Sequence, residues 1–382
     1  MPIMQSPPGP YTVIDGRRYL YFSGTGYLGL QGHPEVIRAG CQAMQEWGVG
    51  SATSRKGFGN TPPTLDVERR AAEFFGSDDT FYFMSGYVGN NILVLLLQDA
   101  FDAVLVDEMS HYCVFEAARL SGRPTFRFRH RDPLDLAQCL KANLKPSQRP
   151  LLLSDGVFAA RGGIATVTDY RDVLLNYPGA MISLDDAHAV GVLGPNGRGT
   201  FEHAGLFDAR LNCDLPDGSS SPPDEPSLYV CGTLSKAVGG FGGIIPGTSR
   251  FIERLKATSH YYNGASALPV AVAAATARAL ELIRDDPDMR TRLWRNVAAV
   301  KAGLRQMGLD VDDTPVPIIC LTIGDAENMQ RIHAGLINRE ILVPYKATYS
   351  GLGPEGALRL AVFATHTEEM IAQLLDALRT LV

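Results

Sequence analysis

Leu228-Tyr-Val-Cys-Gly-Thr-Leu-Ser-Lys236-Ala-Val-Gly-Gly-Phe-Gly-Gly243 carries an apolar run straight into a glycine-rich turn that holds a single lysine. Leu228 to Cys231 reads as a buried strand. A charged side chain directly after such a strand is costly to place unless the amine is used. The glycines let backbone approach a ligand closely, and Thr233 and Ser235 offer hydroxyls to an anion. Desolvation lowers a lysine pKa and makes the amine nucleophilic. The spacing G-x-x-x-x-G-K-[ST] is absent, which excludes a P-loop.

Three further signals lie upstream. In Met181-Ile-Ser-Leu-Asp185-Asp-Ala-His188 an apolar strand ends in a carboxylate, with an imidazole three residues on. Open α/β sheets bind ligands at the carboxyl ends of their strands. A buried Asp185 can keep a pyridine nitrogen protonated, which makes pyridoxal phosphate (PLP) an electron sink, and His188 can reach the phenolic oxygen of the same ring. Ser85-Gly86-Tyr87 sits at a strand-to-helix turn, where free backbone N–H groups form a phosphate site. His111, just past Asp107, can stack on a cofactor ring. Taken singly, each has a plainer explanation. Lys236 alone fits a solvated loop, Asp185 and Ser85 fit helix caps, and lone histidines are more often satisfied core residues. All four in one chain, in one workable order, make a PLP site with Lys236 as the Schiff-base residue. No metal site is expected.

Around these motifs, short apolar runs at Thr80 to Met84, Ala103 to Val106, Thr125 to Phe128, Pro150 to Ser154, Ala180 to Leu184 and Leu228 to Cys231 are mostly separated by helical segments. That alternation predicts an α/β protein with a mainly parallel sheet covered on both faces. Residues 1–47 read as an N-terminal arm and helix, with a hairpin turning at Asp15-Gly16. Residues 48–260 form the large α/β domain. Residues 261–382 hold linking helices and a small C-terminal α+β domain. Residues 212–227, rich in Pro, Ser, Asp and Gly, read as a mobile surface insertion.

Composition bounds the rest. The chain has 382 residues, 45% hydrophobic and 20% charged, an ordinary globular balance, with a formal net charge of -6 and no basic block, so no nucleic-acid partner is expected. Six scattered cysteines without C-x-x-C pairs read as reduced thiols. The Pro-rich start has no signal-peptide pattern, and the longest apolar stretch, Ile92 to Leu97, is too short for a membrane span. A cytoplasmic location is expected.

From about Tyr19 to Leu381 the chain resembles the α-oxoamine synthases, a branch of the fold-type I PLP enzymes. The resemblance rests on Tyr27-Leu-Gly-Leu30, Gly48-Val-Gly50 with Arg55, Ser85-Gly86-Tyr87, Ser110-His111, Asp185-Asp-Ala-His188, Gly197-Arg-Gly199, Thr233-Leu-Ser-Lys236 and His366-Thr367. It implies a seven-stranded, mainly parallel sheet and a set of roles. Lys236 would be Schiff-base lysine and proton shuttle, Asp185 the partner of the pyridine nitrogen, His188 a contact of the ring oxygen and His111 the stacking ring. Gly86, Tyr87 and Thr233, with Ser85 beside them, would hold phosphate. Ser266 would reach the phosphate of a partner subunit, implying a homodimer with shared active sites. Arg359 would grip the substrate carboxylate, a task suited to its planar fork.

Several positions depart from that family's pattern. Thr25 stands where an asparagine is usual, Thr64 where a histidine is, Ala159 where a hydroxyl is, Arg161 where an acid is, and Ala357 where an arginine is. The implied function is condensation of an amino acid with an acyl-CoA or acyl-carrier thioester. A class I/II aminotransferase on the same fold, a PLP lyase or racemase, and a catalytically inactive structural subunit stay open as alternatives. Retained Lys236, Asp185 and His188 argue against the last.

Overall fold

Parallel strands buried on both faces must be apolar throughout, and the runs Leu151-Leu-Leu and Met181-Ile-Ser-Leu meet that demand. The computed structural model describes residues 1–207, 211–213, 225–349 and 352–382. Its central sheet has seven strands, in the spatial order Asp79–Phe83, Gly243–Gly247, Ser227–Thr233, Met181–Asp185, Pro150–Asp155, Ala103–Asp107, Thr125–Phe128. The last five pair in parallel. Gly243–Gly247 runs antiparallel to both of its neighbours.

Side chains alternate across the sheet, as the period of two requires. Val104, Val106, Leu151, Leu153, Met181, Tyr229 and Cys231 pack with helices Gly89–Leu97, Tyr112–Leu120 and Ser249–Thr258. Leu105, Leu152, Ile182, Leu184, Leu228 and Val230 pack with helices Pro133–Asn143 and Val167–Leu174. Asp155 is two residues beyond Leu153, and Asp185 four beyond Met181. Both carboxylates therefore fall on the first of these faces, against the helices that carry Asn90 and Cys113.

Six of the seven strands are legible as apolar runs. The seventh, Gly243-Ile-Ile-Pro-Gly247, hides behind two glycines and a proline, which are uncommon in strand interiors. Its pairing with Ser227–Thr233 covers only Gly232 and Thr233. Beyond that point Asn212 fills the gap. Its amide Nδ2 donates to the carbonyls of Val230 (2.9 Å) and Pro246 (2.5 Å), and its Oδ1 accepts from Val230 N at 2.9 Å. Asn212 is fully buried, and Ser227 begins a strand. The ends of the insertion expected at 212–227 are thus built into the sheet, while residues 214–224 lie outside the described residues.

Asp15 and Gly16 turn the N-terminal hairpin with φ of 49° and 76°, the mirror-image turn that matches strand twist. Its second strand, Arg17–Tyr21, pairs in parallel with Ile341–Leu342, so Ser23, Gly24 and Thr25 emerge beside the C-terminal sheet Ile318–Leu321, Ala357–Ala361 and Tyr345–Lys346. The linking helices expected after residue 261 include Val270–Asp285 and Asp288–Gln306, with Pro287 between them. Arg55 is buried. It makes a bidentate pair with Glu68 (2.7 and 2.9 Å), which also accepts from Tyr82 N at 2.9 Å.

Candidate active site

The carboxyl ends of the central strands, the Ser23–Thr25 segment and the C-terminal sheet enclose a cavity of about 460 Å³. Ser85, Gly86, Tyr87, His111, Asp185, His188, Thr233, Lys236, Thr25 and Arg359 all line it. Of the residues given a cofactor or substrate role from the sequence, Ser266 is the one outside this lining. It is exposed, on a β-bridge with Ser54.

Asp185 closes its strand on the cavity floor, 6% exposed. Its Oδ2 accepts from Asn90 Nδ2 at 2.7 Å and from the Cys113 thiol at 3.3 Å, and its Oδ1 accepts from Ala187 N at 3.0 Å. Lys236 follows strand Ser227–Thr233 and is reached by solvent only in part. Its carbonyl accepts from Gln31 Nε2 at 2.7 Å, which ties the glycine-rich turn down. Burial pulls the Lys236 ammonium below the ordinary lysine range, against the opposing pull of Asp185 and Asp155. His188 Nδ1 lies 2.7 Å from the Tyr27 hydroxyl. Burial lowers this imidazole well below its ordinary value, with Lys236 adding to the effect, so it is neutral near pH 7. Burial likewise pushes the Tyr27 phenol up to about 12, against the pull of Arg359.

His111 caps helix Tyr112–Leu120, its Nδ1 standing 3.0 Å from Cys113 Sγ. Its main-chain N–H donates to both oxygens of Asp155, at 3.1 and 3.2 Å. Asp155 is 3% exposed and lines the cavity. Burial, and then the neighbouring Asp185, raise its carboxyl well above the ordinary range. Asp155, Asn90, Cys113, Tyr27, Lys346 and Tyr349 were not marked as site residues by sequence reasoning. Asp155 had a signal: Leu151-Leu-Leu-Ser-Asp155 ends an apolar strand in a carboxylate, as Met181–Asp185 does.

The residues fit PLP. At the turn, Ser85 Oγ accepts from Tyr87 N at 3.3 Å. A Cβ added at Gly86 would meet Thr233 Cβ at 2.7 Å, so only glycine lets this backbone lie against the threonine. Thr233 and Ser235 hydroxyls are 2.7 Å apart beside it. Hydroxyls and main-chain N–H groups at one end, a carboxylate on the floor and a desolvated amine match a phosphate, a pyridine nitrogen and an aldehyde.

Arg359, on the central strand of the C-terminal sheet, donates from Nε to Ala159 O (2.9 Å) and from Nη1 to Gly24 O (3.5 Å). No carboxylate among the described residues pairs with it. Of the positions that depart from the family pattern, Thr25 and Ala159 line the cavity. Thr64 is buried in a helix with its hydroxyl on Thr61, and neither it, Arg161 nor Ala357 reaches the cavity wall. No group of three His, Cys, Asp or Glu among the described residues is placed to hold a metal, and no described helix is long and apolar enough to cross a membrane. All six cysteines are free.

This sheet with this cavity defines a PLP-dependent transferase of fold type I. The chain belongs to the aminotransferase class I and II family, whose model matches residues 20–378, and within it to the α-oxoamine synthases, which are acyltransferases. The 8-amino-7-oxononanoate synthase of Stutzerimonas stutzeri (strain A1501) is 35% identical over 377 residues, 99% of this chain and 91% of that protein. The serine palmitoyltransferase of Sphingomonas wittichii superposes with a TM-score of 0.88 at 28% identity, covering 100% of this chain and 91% of that one. A lysine variant of the S. paucimobilis serine palmitoyltransferase, holding PLP joined to myriocin, also gives 0.88, at 26% identity over 100% and 92%.

Proposed function

We propose that this protein joins the α-carbon of an amino acid to the acyl group of a thioester, with Lys236, Asp185, His188, His111 and Arg359 as the working residues. The observation that carries the reading is Arg359. It is a guanidinium without a carboxylate partner among the described residues, in the same cavity as a desolvated lysine. A planar fork held by the Ala159 and Gly24 carbonyls, with the Tyr27 phenol also against it, is preorganised for the α-carboxylate of an amino acid.

Bound PLP supplies an electron sink at the amino acid's α-carbon. Lys236 Nζ would hold its aldehyde carbon, Asp185 its ring nitrogen, His188 its ring oxygen, and Gly86, Tyr87 and Thr233 its phosphate. Lys236 would take the α-proton of the amino acid, a role its lowered pKa suits. Arg359 orients the α-carboxylate, His111 covers the ring face, and Asn90 and Cys113 hold the Asp185 carboxylate in place. The thiol of the acyl donor leaves as the carbon–carbon bond forms.

The functional unit in this reading is a homodimer in which the partner subunit's Ser266 completes the phosphate site. Its support is the position of Ser266 outside its own cavity, beside a loop where Val49 and Phe58 are 75% and 98% exposed.

The test is product analysis with PLP-loaded protein. Glycine, alanine and serine are offered with a set of acyl thioesters, and Lys236→Ala serves as the blank. A ketone product and released thiol from one pairing are expected. Conversion of PLP to its amine form without thioester would instead make the protein an aminotransferase.

A further inference from the structure

We propose that Lys346 binds a second anionic group, carried by the acyl donor, next to the α-carboxylate at Arg359. The inference rests on the condensation reading above. Lys346 lies opposite Ala357, and Arg359 N donates to Pro344 O at 3.0 Å across the same strand pair. Residues two apart on a strand share a face. Pro344 and Lys346 therefore stand on the face that carries Arg359, and all three line the cavity. The methyl of Ala357, opposite Lys346, leaves space on this face beside the lysine stem.

Neither cation is neutralised by a described residue. Among the described residues no carboxylate forms an ion pair with Lys346 or Arg359. The two acids that line the cavity, Asp155 and Asp185, are engaged on its floor by the His111 N–H and by Asn90 and Cys113. One amino-acid carboxylate saturates one guanidinium fork, so a second positive charge remains at the mouth. Depth assigns it. Arg359 is half-buried against Ala159 and Gly24, whereas Lys346 is exposed at the rim, where the second substrate enters over the first. Tyr349, three residues on, places its ring 6.4 Å from His111 and 6.3 Å from Tyr112, forming an aromatic wall beside that entrance. The donor's anion is either a carboxylate at the far end of its acyl chain or a phosphate of its carrier arm.

The experiment uses the PLP-loaded enzyme with glutaryl and butyryl groups, each carried on CoA and on phosphate-free N-acetylcysteamine. Lys346→Met is expected to raise the donor KM about three- to fivefold, the upper range for an exposed ion pair. Amino-acid affinity, read from the cofactor absorbance without donor, should stay within twofold, and Lys346→Arg should restore the donor KM. A loss confined to CoA thioesters identifies the phosphate, and a loss confined to glutaryl thioesters identifies the carboxylate. Calorimetric titration with free CoA gives an independent reading of the first case. Unchanged donor KM in Lys346→Met, or an equal loss of amino-acid affinity, overturns the proposal while leaving condensation intact. Absence of product from wild type with every thioester overturns both.

Discussion

Asp155 and Asp185 end adjacent parallel strands in register, both buried and both on the sheet face covered by helices Gly89–Leu97 and Tyr112–Leu120. Their surroundings differ. Asp185 takes an amide, a thiol and a main-chain N–H, whereas Asp155, among the described residues, takes the His111 N–H and is held well above its ordinary value by burial and then by Asp185.

This asymmetry predicts opposite outcomes for the same substitution. Asp185→Asn keeps the shape of the floor but removes its charge, and should lower kcat about 100-fold or more. Asp155→Asn keeps an acceptor for His111 N and should leave kcat within about tenfold. The folded chain retains the Asp155 proton where the unfolded chain has lost it. Stability therefore falls as pH rises from about 4 toward the raised folded value, and Asp155→Asn should flatten that part of a urea-midpoint profile. A wild-type profile no steeper than the variant's would contradict the assignment.

Arg359→Met should raise the KM for the amino acid about ten- to a hundredfold, the loss of one or more charge-assisted hydrogen bonds. The donor KM should be little changed. Arg359→Lys should recover only part of the loss, because an ammonium cannot match the two carboxylate oxygens in one plane. Steady-state kinetics with each substrate varied in turn make the comparison.

The buried Arg55–Glu68 pair is a stability prediction. Arg55→Met leaves the Glu68 carboxylate buried with Lys256 3.2 Å away as its remaining ion partner. The expected cost is about 3–5 kcal/mol, read as a lower urea midpoint. The double variant Arg55→Met/Glu68→Leu should regain part of that cost. A single variant as stable as wild type would show that Lys256 suffices.

His366 is a second pH probe, remote from the cavity. Its Nδ1 accepts from Phe363 N (3.0 Å), its Nε2 donates to Tyr21 O (3.1 Å), and burial holds its pKa down at about 4. The unfolded histidine takes up a proton first as pH falls, so stability is fully present above about pH 6.5 and is lost progressively below it. The loss reaches about 3 kcal/mol near pH 4. In His366→Asn the slope over this window should shrink, which chemical denaturation at several pH values would measure.

The chemistry-bearing residues were largely readable in advance because each sits at a strand end or turn with a local signature. Asp185 follows an apolar run, Lys236 stands among glycines, and Ser85-Gly86 breaks a strand. Gly243–Gly247 was not readable, since its glycines and proline carry no strand propensity and its place depends on Asn212 bridging it to its neighbour. Asp155 carried the same signature as Asp185 and went unassigned, because its meaning comes from the strand beside it.

By itself, then, the sequence determined the layered α/β class and the polar ends of its strands, since period-two burial and the desolvation of a lone lysine are local constraints. Only the tertiary structure decided which of those ends meet. Adjacency of Asp155 with Asp185, of Lys346 with Arg359, and of Ser23–Thr25 with the C-terminal sheet is set by strand order and register. These pairings join residues far apart in the chain, and no local pattern encodes them.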